Sequence, residues 1–354
     1  MLKLATNALR NMARSKLSLP GVFDPVLAAL YVTPMCNLRC DYCELFGTQR
    51  NASYRGQVLD LEHIKQVIRV LADEIHVLYI TGGEPILRDD IGEILGFARQ
   101  QGVRYLALNT NGLMLHRRPE VLEHVDTLVV SLDSLELGRR DTTLAGRPHQ
   151  VARLLDNIRR AASEQARRGF VLTITCVVTP GRVDDARRVM EFCFEIGAEF
   201  SIQHLTEERV RSPALMQDPD FPAFVQEMVG AKRAGLPVSG SELYLRVVRD
   251  RIPYYCTPTA VPHIDHQGRL SFPCRELRDH ILVDLLAAGS LRAALAEGVR
   301  RYGLPPTDCS SCPDRCYVEV SSLMHSPTVL VREVAGYLYK QVRRRGPGVL
   351  ANQP

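Results

Sequence analysis

The chain has no apolar run of the ~18–20 residues that a bilayer-crossing helix requires, so no spanning segment is expected. Its N-terminus, MLKLATNALRNMARSKLSLPG, lacks the unbroken apolar stretch of a secretory signal, because Lys3, Arg10, Arg14 and Lys16 interrupt it. A cytoplasmic location is therefore expected. Charge of one sign is also scarce: the net formal charge is +4 over 354 residues, too little to argue for nucleic acid, and no nucleic-acid partner is expected. Low-complexity segments are missing too, as is any internal repeat beyond alternating strand and helix units. What remains is an ordinary globular composition, 45% hydrophobic and 24% charged, long enough for a sizeable core and for one to three domains.

The cations that are present gather at the two ends. At the start, Leu2, Leu4, Ala5, Ala8, Leu9, Met12 and Ala13 recur at helical spacing with basic residues between them. Near the other end, Leu330–Tyr339 is amphipathic and runs into Arg343, Arg344 and Arg345. Such ends fit helices packed on the domain with a solvated basic face. They also fit a peripheral contact with a membrane surface, or closeness to an anionic or lipid-linked substrate.

From residue 26 onward, β-branched apolar segments at 26–33, 76–81, 104–109, 126–131, 171–179 and 199–204 alternate with other patterns. Helical periodicity appears at 61–72, 89–101, 118–124, 149–168, 183–196 and 220–234. Alternation of this kind predicts an α/β fold of parallel strands with right-handed crossovers. Six units are fewer than the eight of a closed barrel, so the expected architecture is a partial (β/α)6 TIM-like barrel. Its chemistry is expected on the loops at the C-terminal ends of the strands. Around residue 235 the pattern changes to short, turn-rich, cysteine-bearing sequence. The expected organisation is a basic amphipathic segment at 1–25, the barrel at 26–238, a small auxiliary domain at 239–326 and a basic helix and tail at 327–354.

Ten cysteines are present. Cys176 and Cys193 stand in apolar surroundings and read as core. The other eight form two groups, Cys36/Cys40/Cys43 and Cys256/Cys274/Cys309/Cys312/Cys316. Clustered thiols in a reduced compartment point to metal binding, not to a disulfide framework. In the first group three thiols lie within eight residues behind the first strand, and no fourth ligand follows nearby, since His63 and His76 are isolated. Structural zinc takes four closed protein ligands. A [4Fe–4S] cluster held by three thiolates instead leaves one iron open to a bound cofactor.

The spacing Cys36-x-x-x-Cys40-x-x-Cys43, with the aromatic Tyr42 before the third cysteine, resembles the signature of the radical S-adenosylmethionine (SAM) enzymes. Three further stretches carry the resemblance at successive strand ends: Thr81-Gly82-Gly83-Glu84-Pro85, Asn109-Thr110-Asn111-Gly112, and Ser131-Leu132-Asp133. It spans residues 26 to about 234. It implies a SAM-binding [4Fe–4S] cluster on Cys36, Cys40 and Cys43, and a SAM site formed by Tyr42, Gly82, Gly83, Glu84, Pro85, Asn109, Ser131, Asp133 and Val178. Glu84 is expected to receive the ammonium of SAM, and Val177-Val178 to flank the adenine. The resemblance does not choose among Arg139, Arg140, Arg147 and Arg153 for the SAM carboxylate.

The implied activity is reductive cleavage of SAM to a 5′-deoxyadenosyl radical, which takes a hydrogen atom from substrate. An external electron donor such as flavodoxin or ferredoxin is implied as partner. The second cysteine group, with a hairpin expected around Gly268, resembles the SPASM/twitch extensions of these enzymes. It implies one auxiliary [4Fe–4S] cluster, with Cys256, Cys274, Cys309 and Cys312 as preferred ligands and Cys316 replacing one of them or staying free. A four-cysteine zinc site is the competing reading for that group.

The expected substrate is a small molecule or a lipid-linked one. Modification of a ribosomally made peptide is the alternative, made less favourable by the roughly 25 residues before the first strand, too few for a leader-binding domain. A non-enzymatic iron–sulfur scaffold or electron carrier is the contrasting class. No acid or base residue can be named from the sequence; His204, His263 and His266 are candidates only for facing a cavity.

Overall fold

A computed structural model of the chain describes residues 2–17, 21–40, 42–43, 58–136, 148–207, 210–252, 254–277, 279–306, 312 and 314–326. It begins with a helix, α1 (Leu2–Lys16), followed by strand β1 (Leu27–Tyr31). Then come α2 (Leu61–Ala72), β2 (Val77–Thr81), α3 (Ile91–Gln100), β3 (Tyr105–Thr110), β4 (Thr127–Ser131), α4 (Pro148–Arg168), β5 (Val171–Val178), α5 (Val183–Ile196) and β6 (Glu199–His204). A short pair, β7 (Thr206–Glu207) and β8 (Val210–Arg211), leads to α6 (Pro213–Gln217), α7 (Asp220–Arg233) and α8 (Glu242–Asp250). The remainder holds β9 (His263–Ile264), β10 (Arg269–Phe272), β11 (Ile281–Asp284), α9 (Leu285–Ala288), α10 (Leu291–Tyr302) and α11 (Arg315–His325).

Strands β1 to β6 pair in parallel and in chain order, as the six apolar segments predict. The period of two along each strand separates core from lumen. Leu30, Leu78, Ile80, Leu106, Leu108, Leu128, Leu172 and Ile174 point outward into the helical layer and are wholly buried. Burying each such side chain contributes roughly 1.5–3 kcal/mol. The alternate positions, among them Ala29, Tyr79, Ala107, Thr127 and Thr175, face the inside of the barrel. Helix α2 meets the sheet through Ile64, Val67, Ile68 and Leu71, and its first turn is capped by Asp60, which accepts from His63 N at 2.9 Å.

One expected helix is corrected. Residues 118–124 form a 3₁₀ helix, Pro119–Glu123, with Pro at its start. The other expected barrel helices are present within a few residues of their expected ends. The hairpin around Gly268 is also present, with Leu270 opposite Ile264 and Gly268 at φ +76°.

The cysteine-bearing extension does not form a separate sheet. Strand β9 pairs in parallel with β1, Ala29 opposite His263, so the described residues form one nine-stranded sheet in the order β11-β10-β9-β1-β2-β3-β4-β5-β6. The sheet ends at β6 on one side and at β11 on the other, and the start of α11 bridges β6 and β9. Arg315 donates to the Ser201 hydroxyl on β6, while the Tyr317 ring stacks on His263 of β9 at 5.0 Å. Among the described residues no helix is long and apolar enough to cross a membrane. The expected C-terminal helix, Cys309 and the loop bearing Arg139, Arg140 and Arg147 lie outside the described residues.

Candidate active site

The sequence-flagged loops converge at the C-terminal ends of β1 to β5. A cavity of about 240 Å³ there is lined by the thiol-bearing Cys36, Cys40 and Cys43, by Gly82 and Gly83, and by Asn109, Ser131 and Asp133. The three thiols share this cavity, are half-buried and are not in disulfides. Cys36 has its pKa raised by burial, with smaller contributions from the nearby Glu84 and Cys43. Three thiol donors facing one cavity beside two glycines fit a cluster of several iron atoms with room for a further ligand.

The cysteine loop is held by the Gly-Gly-Glu loop. Gly83 N donates to Thr33 O and Glu84 N to Met35 O, both at 2.7 Å, which prolongs the β1–β2 pairing past the end of the strands. This approach leaves no room for side chains. A Cβ on Gly83 would stand 2.3 Å from Met35 O, and one on Gly82, at φ +151°, 2.5 Å from Thr33 O. Both glycines are therefore required by packing. Arg88 adds a clamp that no motif announces. Its Nη1 donates to Val32 O and Leu59 O at 3.0 Å each, while Nε and Nη2 grip Asp90 at 2.8 and 2.7 Å.

Glu84 is wholly buried and stands behind the cavity wall. Its carboxylate accepts from Ile86 N at 3.0 Å, Thr110 Oγ1 at 2.8 Å and Asn111 N at 2.6 Å. Burial raises its pKa, and these three donors oppose the rise. In this arrangement Glu84 ties the end of β2 to the end of β3. Pro85 is buried at the start of a 3₁₀ turn. Asp133 is the second tie: it accepts from Tyr42 Oη at 2.7 Å and from Val177 N at 2.9 Å, joining the cysteine loop to β4 and β5.

Asn111, passed over in the sequence in favour of Asn109, also lines the cavity and reaches the first thiol. Its Nδ2 donates to Asn37 Oδ1 at 2.7 Å and stands 4.0 Å from Cys36 Sγ. Val178 is a correction. Strand alternation puts Val177 on the cavity wall and Val178, 1% exposed, in the core behind it. Of the four arginines considered for the SAM carboxylate, Arg153 is exposed on α4 and does not line the cavity, and the other three lie outside the described residues.

A second cavity, of about 570 Å³, occupies the barrel lumen. It shares Tyr42, Cys43, Gly82, Asn109 and Val177 with the first, so the two spaces adjoin. Its wall includes Tyr79, Gln203, His204, His263 and, from α11, Asp314, Arg315 and Cys316. The Cys316 thiol is pushed up by burial and by neighbouring Asp314. Cys256, Cys274 and Cys312 are buried in the extension, and Cys312 lies near enough to Cys256 to feel its charge. His266 is buried and does not line the lumen. Among the described residues no three His, Cys, Asp or Glu side chains stand close enough to hold a single metal ion.

Replacing Glu84 by Ala leaves three buried donors without an acceptor. The expected loss is roughly 2–4 kcal/mol of stability, read as a lower denaturant midpoint. Gly83→Ala is expected to displace the cysteine loop and to reduce the iron bound after anaerobic reconstitution, measured by iron and sulfide analysis with the fold checked by circular dichroism.

Comparison with known proteins agrees with this geometry. The family model described as the radical SAM superfamily matches residues 30–193, which contain all four strand-end motifs. A probable GTP 3′,8-cyclase of Methanococcus maripaludis (strain S2) is 28% identical over 177 residues, covering 49% of this chain and 57% of the relative. That match spans little more than half of the relative's length. The corresponding protein of Methanococcus maripaludis strain C7 is 27% identical over 293 residues, covering 77% of this chain and 91% of the relative. Among solved structures, Streptococcus suis SuiB bound to precursor peptide SuiA superposes with a TM-score of 0.61 at 17% identity, covering 91% of this chain and 77% of that one. The last likeness is one of fold. With its ordered motifs around one thiol-lined cavity, residues 30–193 of the chain form a radical SAM domain.

Proposed function

We propose that this chain cleaves SAM reductively and directs the resulting radical at a small molecule held in the barrel lumen. The observation that carries this reading is the junction of the two cavities. The thiol-lined space opens beside Tyr42, Asn109 and Val177 onto a lumen large enough for a small substrate. When bound, the cluster and SAM together supply a 5′-deoxyadenosyl radical able to take a hydrogen atom from carbon.

The chain's own part is to hold and shield. Cys36, Cys40 and Cys43 would ligate the cluster. Gly82 and Gly83 let the backbone approach the cofactor, and Asn109, Ser131 and Asp133 line the rest of its space. Glu84 keeps the loops in register from behind. Position matters here because a misplaced donor atom loses most of the advantage of an intramolecular reaction. An external one-electron donor completes the reaction.

The extension is proposed to hold an auxiliary [4Fe–4S] cluster on Cys256, Cys274, Cys309 and Cys312, assisting oxidation or electron transfer. Peptide modification is the second reading, supported by the fold likeness to a peptide-bound neighbour. The radical reading is tested by 5′-deoxyadenosine formation from SAM with dithionite in anaerobically reconstituted protein. Activity abolished by Cys40→Ala, together with roughly eight irons per chain for two four-iron clusters, is the expected result. A cluster-replete protein that forms none would leave an iron–sulfur scaffold or carrier. Four irons per chain, all lost with Cys40, would remove the auxiliary cluster.

A peripheral membrane contact is also proposed, through α1. Asn7, Asn11 and Met12 face inward, and Asn11 exchanges hydrogen bonds with the Asp24 backbone at 2.8 Å. The outer side presents Leu9, 65% exposed, beside Arg10 and Arg14, with Leu17 68% exposed just beyond. That combination suits an anionic lipid surface. Flotation with phosphatidylglycerol vesicles is expected, and it should weaken in Leu9→Ser/Leu17→Ser. Absence of flotation would rule the contact out.

A further inference from the structure

Among the described residues that line the lumen, Glu199, Glu276, Asp314 and Glu319 stand against two cations, Arg275 and Arg315. Arg275 is already engaged. Its Nε lies 2.6 Å from Glu276 and 3.9 Å from Asp314, and its other arm donates to the Tyr31 hydroxyl. Arg315 donates to the Ser201 and Ser239 hydroxyls and lies over the Tyr244 ring at 5.3 Å. Glu276 and Asp314 face Arg275, Asp314 accepts from Cys316 N at 2.7 Å and Glu319 from Ser241 N at 2.9 Å. The described wall of the lumen thus holds four carboxylates against two guanidinium groups, between hydrocarbon and threonine hydroxyls where screening is weak.

A second observation is independent of this charge. His204, at the end of β6, is 1% exposed and lines the same lumen, yet neither of its ring nitrogens has a hydrogen-bond partner among the described residues. Buried polar groups in folded proteins are rarely left so, because the unmade bond costs stability. A ligand in the lumen would supply the missing partners. Burial, reinforced by neighbouring Arg211, lowers the pKa of His204 to about 3, so the ring stays neutral near pH 7. A neutral imidazole offers one donor and one acceptor, the complement of a hydroxyl group, and it adds no positive charge to the lumen.

An anion such as a nucleoside triphosphate would meet an excess of carboxylates and find the guanidinium groups in use. We propose that the lumen takes a small hydroxyl-bearing amine, its ammonium held among the lumen carboxylates and its hydroxyl read by His204. This rests on the proposed radical chemistry of the same site, and it sets the substrate class apart from that in the name of the guanine-nucleotide relatives.

The test is calorimetric titration of the reconstituted, SAM-loaded protein with three probes: glucosamine, galactosamine and serinol. Each is run beside its N-acetyl derivative, which keeps the hydroxyls and loses the charge, and GTP is titrated in parallel. At least one amine is expected to bind about tenfold more tightly than its N-acetyl twin. Glu276→Gln and His204→Phe should each weaken that binding several-fold, and GTP should not bind. The proposal is overturned if none of the amines binds, if acetylation makes no difference, or if GTP binds as tightly as the best amine. The acetylation comparison uses the unaltered protein, so a variant that fails to fold does not shelter the proposal. Formation of 5′-deoxyadenosine separates the two claims. A protein that cleaves SAM yet ignores amines loses only the substrate class, and one that binds amines without cleaving SAM loses the radical reading.

Discussion

Two backbone hydrogen bonds, from Gly83 to Thr33 and from Glu84 to Met35, fix the place of the first cysteine relative to everything else in the site. They require two loops to lie within backbone contact, and that contact admits no Cβ on either glycine. Once made, it sets the Glu84 carboxylate in the core, where three donors from the following turn and the end of β3 are waiting for it. The Asp133 carboxylate repeats the device on the far side, between Tyr42 and Val177. The thiols are thus held by a ring of buried hydrogen bonds. Such networks are worth most when every member is satisfied, and they fail together when one member is lost.

This ring also explains why the cofactor space and the lumen meet. Strand alternation delivers inward-facing residues at every second position, and the strand ends then pass those positions to the loops. Asn109 and Val177 belong to both spaces because they are the last inward residues of β3 and β5, and Tyr42 joins them from the cysteine loop. A reactive species formed at the thiol-bearing end would stand directly beside the lumen. Helix α11 then decides what it meets there, since Asp314, Arg315 and Cys316 line the lumen where the start of α11 bridges β6 and β9.

Much of the barrel was legible in the sequence because its signals are local. Runs such as Val77–Thr81 and Tyr105–Thr110 show their strand character in five or six residues, and the thiol spacing in eight. The stretch 118–124 has helical spacing but winds as a 3₁₀ helix, Pro119–Glu123, a distinction its apolar pattern does not carry. Of the pair Val177-Val178 only Val177 lines the cavity, since a strand shows its period but not its phase until its neighbours are known. Glu84 kept its prominence while its geometry turned out to be that of a buried tie. The lumen was nearly illegible, as its composition depends on contacts such as Arg315 with Ser201, which lie 114 residues apart in sequence.

The central claim is that the thiol-lined cavity holds a cluster with an iron open to SAM, placed at the mouth of the lumen. Electron paramagnetic resonance of the dithionite-reduced, reconstituted protein tests it most directly, with Cys256, Cys274, Cys309 and Cys312 replaced so that only the first group can ligate. A reduced-cluster signal is expected whose shape changes when SAM is added and which is absent when Cys40 is also replaced. A signal unchanged by SAM would contradict it.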